Sequence, residues 1–306
     1  MRITLSFLWF LGIPIYGGIH YYYAQGLSYK DDIVEEFTIQ SESDFKYFYQ
    51  SYAKNDIYNL DRDITITSDE FLMIGTQKYP FNGIFNGNGY SITISNHTTI
   101  KGNKDHQALF GVNKGVIKNL VIKQSTVTLE GINSAILVAE NFGEVESIVI
   151  HQTTLKLSSL VRFGGLVIGS NHGTLKKAYV SGEITKETNF TNRAYVGGLV
   201  GFDWNEDQVS MTMLLTDVLL SDYPETSVAY QTINRNVGAF VGSMKDYDRI
   251  TSIYMLSTAQ AFYSEQTYMN LVKVDTLDTE DLSDLYTNTL SWMPWMITYV
   301  LAIGGQ

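Results

Sequence analysis

The chain has no cysteine among its 306 residues. This absence excludes disulfide bridges, thiolate zinc sites and a cysteine nucleophile. It does not define a compartment, because a chain without thiols tolerates any redox environment. Proline is also scarce, with 4 residues against 25 glycines and 21 tyrosines. Such a composition favours many tight turns between aromatic and β-branched strands.

Basic residues are few as well. Lysine and arginine total 21 against 32 aspartates and glutamates, and the net charge is −11. A nucleic-acid-binding surface needs a basic stripe, and the sequence contains none, so no nucleic-acid partner is predicted. Apolar residues make up 44% of the chain, which is enough to build the core of one elongated domain or two compact ones.

The amino terminus predicts export. Arg2 is the only full charge before Lys30, and residues 3–19 are almost wholly apolar. Residues 1–26 are therefore predicted to be a signal peptide or a membrane anchor. Pro14 weakens the segment as a spanning helix, and a buried core helix is a third alternative. Under either preferred interpretation the protein is secreted or cell-surface, and only its amino-terminal segment contacts the membrane.

The next segment, residues 27–60, is predicted to be an amino-terminal cap. It contains a short helix at 41–56, where aromatic residues recur at helical spacing and Ser41 or Ser43 provides the cap. From Ile57 onward the pattern changes to strand periodicity. Strands are predicted at 63–67, 90–94, 116–122 and 125–129.

A repeat of about thirty residues follows. Each copy has two apolar residues, a small residue, a polar turn and an apolar strand. The small residues are Gly111, Ala139, Gly169, Gly201 and Gly242. Each unit is too small to bury its own apolar face, so neighbouring units must stack and share a core. The units contain strands and no long helical pattern, which disfavours α-solenoids and helical leucine-rich repeats.

Residues 61–306 are therefore predicted to form an all-β fold, a parallel β-helix in which each repeat is one coil. Propeller blades need about four strands each, more than these units offer. The recurring small residue is expected at a tight bend, where a side chain would collide with the next coil. At the carboxyl end, 292–305 is interrupted by Pro294 and is predicted to be a capping segment, with a membrane helix as the alternative.

These repeats resemble a known family. The segments FGVNKGVIKNL, VIGSNHGTLKKAYV and GGLVG are similar to the GLUG repeat of bacterial surface proteins, which also occurs in the non-catalytic part of IgA-specific metalloendopeptidases. The preceding FNGIFNGNGYSI and the closing DLSDLYTNTLSWMPW also match the family pattern. The resemblance implies a right-handed β-helix outside the cell, often in adhesins. The chain departs from the motif at Ala139 and between 201 and 242.

The glycine-rich stretch 81–94 raises the question of a phosphate cradle. A dinucleotide fingerprint would need a glycine where Ile92 stands, and a P-loop would need a lysine between Lys78 and Lys101. We therefore interpret the stretch as a sharp corner that leads from the cap into the first full coil. Phe81, Phe85 and Ile92 are expected to begin the stacked core.

No catalytic motif is present, and no catalytic residue or cofactor is predicted. The five histidines lack His-Glu-x-x-His spacing, and no Gly-x-Ser-x-Gly elbow occurs. His172 aligns with Lys114 and Phe142 of other repeats, which suggests a tolerant surface turn.

One acidic cluster is a weak calcium candidate: Asp203, Asn205 and Asp207. Gln208 and Leu214 stand where a calcium loop has glycine and glutamate, so solvated loop charge is the default interpretation. The aligned turn residues Asn113, Asn141, Asn171 and Asn205 are expected to form an internal asparagine ladder.

The sequence thus favours a non-catalytic surface or adhesive β-helix. Its expected partner is a host or cell-surface protein or a neutral glycan, on which tyrosines such as Tyr47, Tyr49, Tyr179, Tyr195 and Tyr247 could stack. Two alternatives stay open. One is a polysaccharide lyase or hydrolase with acids on one flank of the helix. The other is a module that tethers a larger partner.

Overall fold

The computed structural model describes residues 34–45, 55–186, 194–205, 211–220, 237–238, 241–244, 250–256 and 271–274. Two compact units are separated at Glu35, and the strands below all belong to the second, Glu36–Gln306. The predicted leader, the capping segment 292–305 and most of the predicted helix 41–56 lie outside the described residues. Within the described ranges, no helix is long and apolar enough to cross a membrane.

The described part of the chain is all-β, and its strands pair in parallel. Its 24 strands are β1 (Glu36–Ile39), β2 (Ile57–Leu60), β3 (Ile64–Ile66), β4 (Glu70–Leu72), β5 (Ile84–Asn86), β6 (Ser91–Ile94), β7 (Thr99–Lys101), β8 (His106–Gln107), β9 (Phe110–Asn113), β10 (Val116–Lys123), β11 (Thr126–Leu129), β12 (Asn133–Ala135), β13 (Val138–Asn141), β14 (Glu144–Leu157), β15 (Phe163–Gly165), β16 (Ile168–Asn171), β17 (Thr174–Lys186), β18 (Tyr195–Gly197), β19 (Val200–Asp203), β20 (Met211–Leu220), β21 (Val237–Gly238), β22 (Val241–Met244), β23 (Ile250–Leu256) and β24 (Leu271–Val274).

The described strands form a solenoid of about five turns, with three long sheets and a fourth, two-stranded sheet made of β4 and β7. The largest has the order β1-β2-β5-β10-β14-β17-β20-β23-β24, and two five-stranded sheets have the orders β21-β18-β15-β12-β8 and β22-β19-β16-β13-β9. From β8 to β23 each turn supplies at least one strand to each of these three sheets, as β12, β13 and β14 do, and the next turn stacks on it. The predicted parallel β-helix is confirmed, and so are the strands expected at 63–67, 90–94, 116–122 and 125–129.

Like residues stack between turns because the ladders keep the repeat in register. Val145 pairs with Leu175, and Ile148 pairs with Ala178, all four without measurable exposure. The predicted small-residue row is aligned as well. The prediction that this residue marks a tight bend is wrong, because Gly169 lies within β16. A Cβ on Gly169 would lie 2.7 Å from the carbonyl oxygen of Ala139, so the stacked strands leave little room for a side chain.

Residues with positive φ interrupt the large sheet at neighbouring positions of successive turns. Gln124 and Gln152 have φ values of 49° and 48°, in the left-handed region, and Gly182 occupies the next turn with φ of 150°. The ladder between β14 and β17 shifts register here, between Ile150 and Thr153. Two residues of β14 oppose one of β17 at this point, an irregularity of the kind that increases the local twist of a strand.

The solenoid begins earlier in the chain than residue 61. Strands β1 and β2 pair in parallel with each other, and β2 pairs with β5 of the same large sheet. The glycine-rich corner at 81–94 is therefore preceded by a turn built from β2, β3 and β4, so it does not open the first coil. Its expected core residues Phe81, Phe85 and Ile92 are buried.

Residues 41–45 form a turn at the start of the predicted helix, and carboxylates fix it. Asp44 accepts hydrogen bonds from the backbone N–H groups of Gln40 and Ser41 at 2.8 and 2.9 Å. Glu42 accepts bonds from the backbone N–H and the hydroxyl of both Thr67 and Ser68. These bonds attach the segment to the solenoid next to β3.

Candidate ligand-binding corner

Three rows of side chains lie side by side on the two five-stranded sheets and on the turns that lead from the second of these sheets into the large sheet. The first row comes from the starts of β8, β12, β15 and β18, the second from β13, β16 and β19, and the third from the turns that follow β9, β13, β16 and β19. We call these residues the outer corner: His106, Asn133, Phe163 and Tyr195; Glu140, Ser170 and Phe202; Lys114, Phe142, His172 and Trp204.

The third row is a stack. The rings of Phe142 and His172 have centroids 4.5 Å apart and planes 10° apart. His172 and Trp204 follow at 5.7 Å and 3°. Lys114 places its Nζ 5.7 Å from the Phe142 ring at the other end. The stack follows from the fold, because parallel strands about 4.8 Å apart bring equivalent side chains to a ring-stacking distance.

A cluster of aromatic rings extends the stack towards the first row. Phe202 contacts Trp204 at 4.5 Å and Tyr195 at 5.0 Å between centroids. Phe163 contacts Tyr195, Phe202 and Trp204 at 5.5, 5.8 and 5.9 Å. All of these rings remain partly exposed. The arrangement gives the outer corner a continuous and partly exposed aromatic surface.

One carboxylate joins two imidazoles within the outer corner. Glu140 Oε2 lies 2.8 Å from His106 Nε2, and Glu140 Oε1 lies 3.4 Å from His172 Nε2. Burial alone would raise the pKa of Glu140, but hydrogen bonds and charge interactions with the two histidines outweigh it and lower the pKa to about 2. Glu140 is therefore ionised at neutral pH, and its Oε1 holds the Nε2 side of the His172 ring.

His106 and Trp204 are anchored differently. The His106 side chain is 3% exposed, and its Nδ1 is buried without a hydrogen bond from any described residue. Trp204 donates its indole N–H to Ser170 Oγ at 2.7 Å. Ser170 is itself buried. His106 and Trp204 are thus held by hydrogen bonds, whereas Phe142 is exposed and His172 is partly exposed.

The predicted asparagine ladder lies directly behind the third row. Asn113 donates to Asn141, and Asn141 donates to Asn171, both at 2.8 Å. The prediction that Asn205 continues the ladder is wrong. Asn171 instead donates to Asp203 Oδ1 at 3.0 Å, because Asp203 stands two residues after the small Gly201, as each ladder asparagine does after its own small residue. Asn205 donates to the same Asp203 oxygen at 2.7 Å.

The calcium candidates do not form an open loop in the described region. Asp203 is fully buried and accepts the two amide bonds given above, and Asn205 also donates to Gly173 O at 3.0 Å. Asp207 lies outside the described residues. No group of three histidines, aspartates or glutamates among the described residues is placed to hold a metal ion.

The predicted sugar-stacking tyrosines have different positions. Tyr195 lies in the outer corner, and Tyr179 is buried in β17. Tyr47, Tyr49 and Tyr247 lie outside the described residues. Only Tyr195 can therefore be assigned to the candidate surface.

Sequence reasoning missed the contacts of Glu140 and His172. His172 was predicted to lie in a tolerant surface turn aligned with Lys114 and Phe142, and the alignment is confirmed. The row is nevertheless a stack of side chains, since each turn places its side chain directly over the last. The repeat alignment could have shown the stack, because each of its members directly follows a residue of the buried ladder, as Trp204 follows Asp203.

Comparison with protein-family models, with curated proteins and with solved structures finds no match. The GLUG resemblance therefore stays a prediction from its motifs. The function has to be inferred from the geometry of the outer corner.

Proposed function

We propose that the chain is a non-catalytic β-solenoid scaffold that binds a protein or a neutral glycan through the outer corner. The supporting observation is the contiguous array of partly exposed rings formed by Phe142, His172, Trp204, Phe202, Phe163 and Tyr195. Rings of this kind supply most of the contact energy at binding surfaces, because they bury a large area with few rotatable bonds.

Two physical features favour binding at this place. The corner lies on stacked parallel strands, so its rings are held at fixed separations before a ligand arrives, and a preorganised surface loses less entropy on binding. Its charges also include both signs, since Glu140 is paired with histidines and the exposed cations Lys114 and Arg162 lie over the rings of Phe142 and Phe163. The chain as a whole has a net charge of −11, which disfavours acidic partners.

The proposal extends to the setting of the protein. The apolar segment at residues 3–19 supports export, and the repeat motifs support a GLUG-type surface protein with an adhesive role. Intact-mass measurement of the exported chain tests the first point. Loss of the residues before about 27 indicates a cleaved signal peptide, and a full-length mass in the membrane fraction indicates an anchor.

Binding is tested by presenting the full chain to arrays of neutral glycans and of cell-surface proteins. Saturable binding to a member of either array supports the proposal, and binding to neither overturns it. A parallel screen against polysaccharides distinguishes the enzymatic alternative. Release of reducing or unsaturated ends would contradict the scaffold proposal and show that the chain is a polysaccharide lyase or hydrolase. The catalytic residues would then be expected among the acidic side chains on the surface of the solenoid.

A further inference from the structure

The faces of the rings in the third row are covered by their neighbours. Phe142 has His172 stacked on one side, with centroids 4.5 Å apart, and Lys114 Nζ 5.7 Å from its centroid on the side of the preceding turn. His172 lies between Phe142 and Trp204, whose planes are inclined by 10° and 3° to its own. Both residues nevertheless keep solvent exposure. Because both faces of each ring are in contact, the part that a ligand can reach is the ring edge.

Ring faces are also taken up in the first row. Phe163 stacks on Tyr195, with centroids 5.5 Å apart and planes inclined by 16°. The guanidinium carbon of Arg162 lies 5.6 Å from the Phe163 centroid. Phe202 meets Phe163 and Tyr195 at 67° and 83°. The rings of the outer corner are thus packed on one another rather than laid flat towards a ligand.

This packing favours a protein over a glycan as the ligand. A sugar ring binds an aromatic side chain by placing its C–H bonds on the negative face of the ring, whereas the ring edge is positive. Ring edges instead suit carbonyl and carboxylate oxygens and the faces of other aromatic rings, all of which a protein supplies. Tyrosine, tryptophan, phenylalanine and arginine are also the residue types enriched at protein–protein interfaces.

Cations outnumber acids among the exposed charges of this surface. Lys114 and Arg162 border the ring array at Phe142 and Phe163. The net charge of −11 belongs to the whole chain, but within about 8 Å, the screening length at physiological ionic strength, the nearest charges decide. A carboxylate on the partner is therefore favoured next to either cation. In the described part of the chain, the exposed charged residues in the outer corner or within two residues of it are Lys104, Asp105, Lys114 and Arg162.

We propose that the ligand of the outer corner is a protein, and that its contacting segment carries carboxylates beside apolar or aromatic side chains. The carboxylates pair with Lys114 and Arg162, and the apolar side chains pack on the ring array between them. Because the whole chain is acidic, the partner is not strongly acidic outside this segment. The inference rests on the proposed function, since it names the partner of the same surface.

The arrays of neutral glycans and cell-surface proteins distinguish the two ligand classes with the full chain. Saturable binding to a protein that persists after enzymatic removal of its glycans, and that is tighter than binding to any glycan, supports the inference. Binding to glycans alone, equal binding to both classes, or loss of binding on deglycosylation overturns it and leaves the proposed function standing. Binding to neither array removes the proposed function and the inference with it.

Charge variants test the chemistry of the contact against the protein that binds. Lys114→Gln and Arg162→Gln should each weaken binding about threefold and together about tenfold, and added salt should weaken binding by the unaltered chain. Lys78→Gln is the matched control, because Lys78 Nζ lies 4.9 Å from the ring of the exposed Tyr79, outside the outer corner. It should leave the affinity unchanged. Unaltered affinity in the double variant, folded by circular dichroism, or an equal loss in Lys78→Gln, overturns the proposed pairing.

Discussion

Asn113 donates its side-chain amide hydrogen to Asn141 Oδ1 at 2.8 Å inside the solenoid. The bond is repeated one turn later between Asn141 and Asn171. Each of these asparagines precedes a member of the outer stack, Lys114, Phe142 and His172 in turn. The ladder therefore fixes the separation between the backbones of successive turns. The same separation sets the distance between neighbouring side chains of the outer stack.

Asn141→Ala should strongly destabilise the protein. The change leaves the Asn113 amide and the Gly143 backbone N–H without the oxygen that accepts both. Loss of these bonds, together with the bond that Asn141 donates to Asn171, should lower the free energy of unfolding by about 3 kcal/mol, measured by urea denaturation. Asn133→Ala removes one exposed bond to the Asp105 carbonyl and should cost less than about 1 kcal/mol. Equal losses for the two variants would contradict a structural role for the ladder.

Gly87→Ala tests whether the glycine-rich corner is structural. A Cβ at this position would lie 2.5 Å from the backbone oxygen of Asn119 and 2.7 Å from Leu120 Cα, neither of which can move independently of β10. We expect a loss of about 3 kcal/mol, and a larger loss for Gly87→Val. Asn96→Ala, at an exposed turn, is the control. A Gly87 variant with normal thermal stability that lost only ligand binding would show that the stretch is a binding element.

Glu42 should make the stability depend on pH at acid values. Burial by itself raises the pKa of Glu42, but the bonds from Ser68 and Thr67 outweigh it and lower the pKa from 4.5 to about 2. A carboxyl with a lowered pKa stabilises the fold above its unfolded value, and this contribution disappears as the pH falls through the folded value. Most of it should thus be lost between pH 4.5 and about 2.

Glu42→Gln isolates this effect. At pH 7 the variant should unfold with about 1 kcal/mol less free energy than the unaltered chain, since solvent screens a partly exposed carboxylate. At pH 2 the two should converge. Glu70→Gln is the comparison, because Glu70 forms an exposed ion pair with Lys101. A difference that stayed constant down to pH 2 would rule out the hydrogen-bonded carboxylate as its source.

Gln152→Gly should stabilise the protein. Gln152 is exposed with φ of 48°, a conformation that costs an L-residue about 1–2 kcal/mol and glycine nothing. After the greater entropy of glycine in the unfolded chain is subtracted, a gain of about 0.5 kcal/mol is expected. Lys156→Gly, on an exposed extended position of the same strand, should instead lose about 1 kcal/mol. Calorimetry of both variants should give opposite signs, and two losses of similar size would refute the left-handed bend.

The fold could be predicted from the sequence because a repeat of about thirty residues constrains every turn in the same way. Gly111 and Gly169 align with Ala139 in the structure as the motif alignment expected. The predicted asparagine ladder is confirmed up to Asn171 and is wrong at Asn205. Both Asp203 and Asn205 follow Gly201, and the spacing from the small residue, not the residue type, decides which of them continues the ladder.

The outer corner was harder to predict, because its contacts cross between sheets. His106 and Glu140 are 34 residues apart and belong to different strand rows, so no local pattern brings them together. The pairing depends on the short connection between β12 and β13, which sets the angle between the two sheets. A repeat alignment gives the members of each row but not which rows face each other.

The outer corner as the ligand-binding surface is tested most directly by one comparison on the glycan and protein arrays. Trp204→Ala removes the ring that joins the stack to Phe202 and Phe163, and Tyr90→Ala removes a partly exposed ring outside the corner. Both should remain folded. Binding by Trp204→Ala should weaken at least about tenfold, as expected for a central aromatic contact, and binding by Tyr90→Ala should be unchanged. Unaltered binding by folded Trp204→Ala would contradict the proposal.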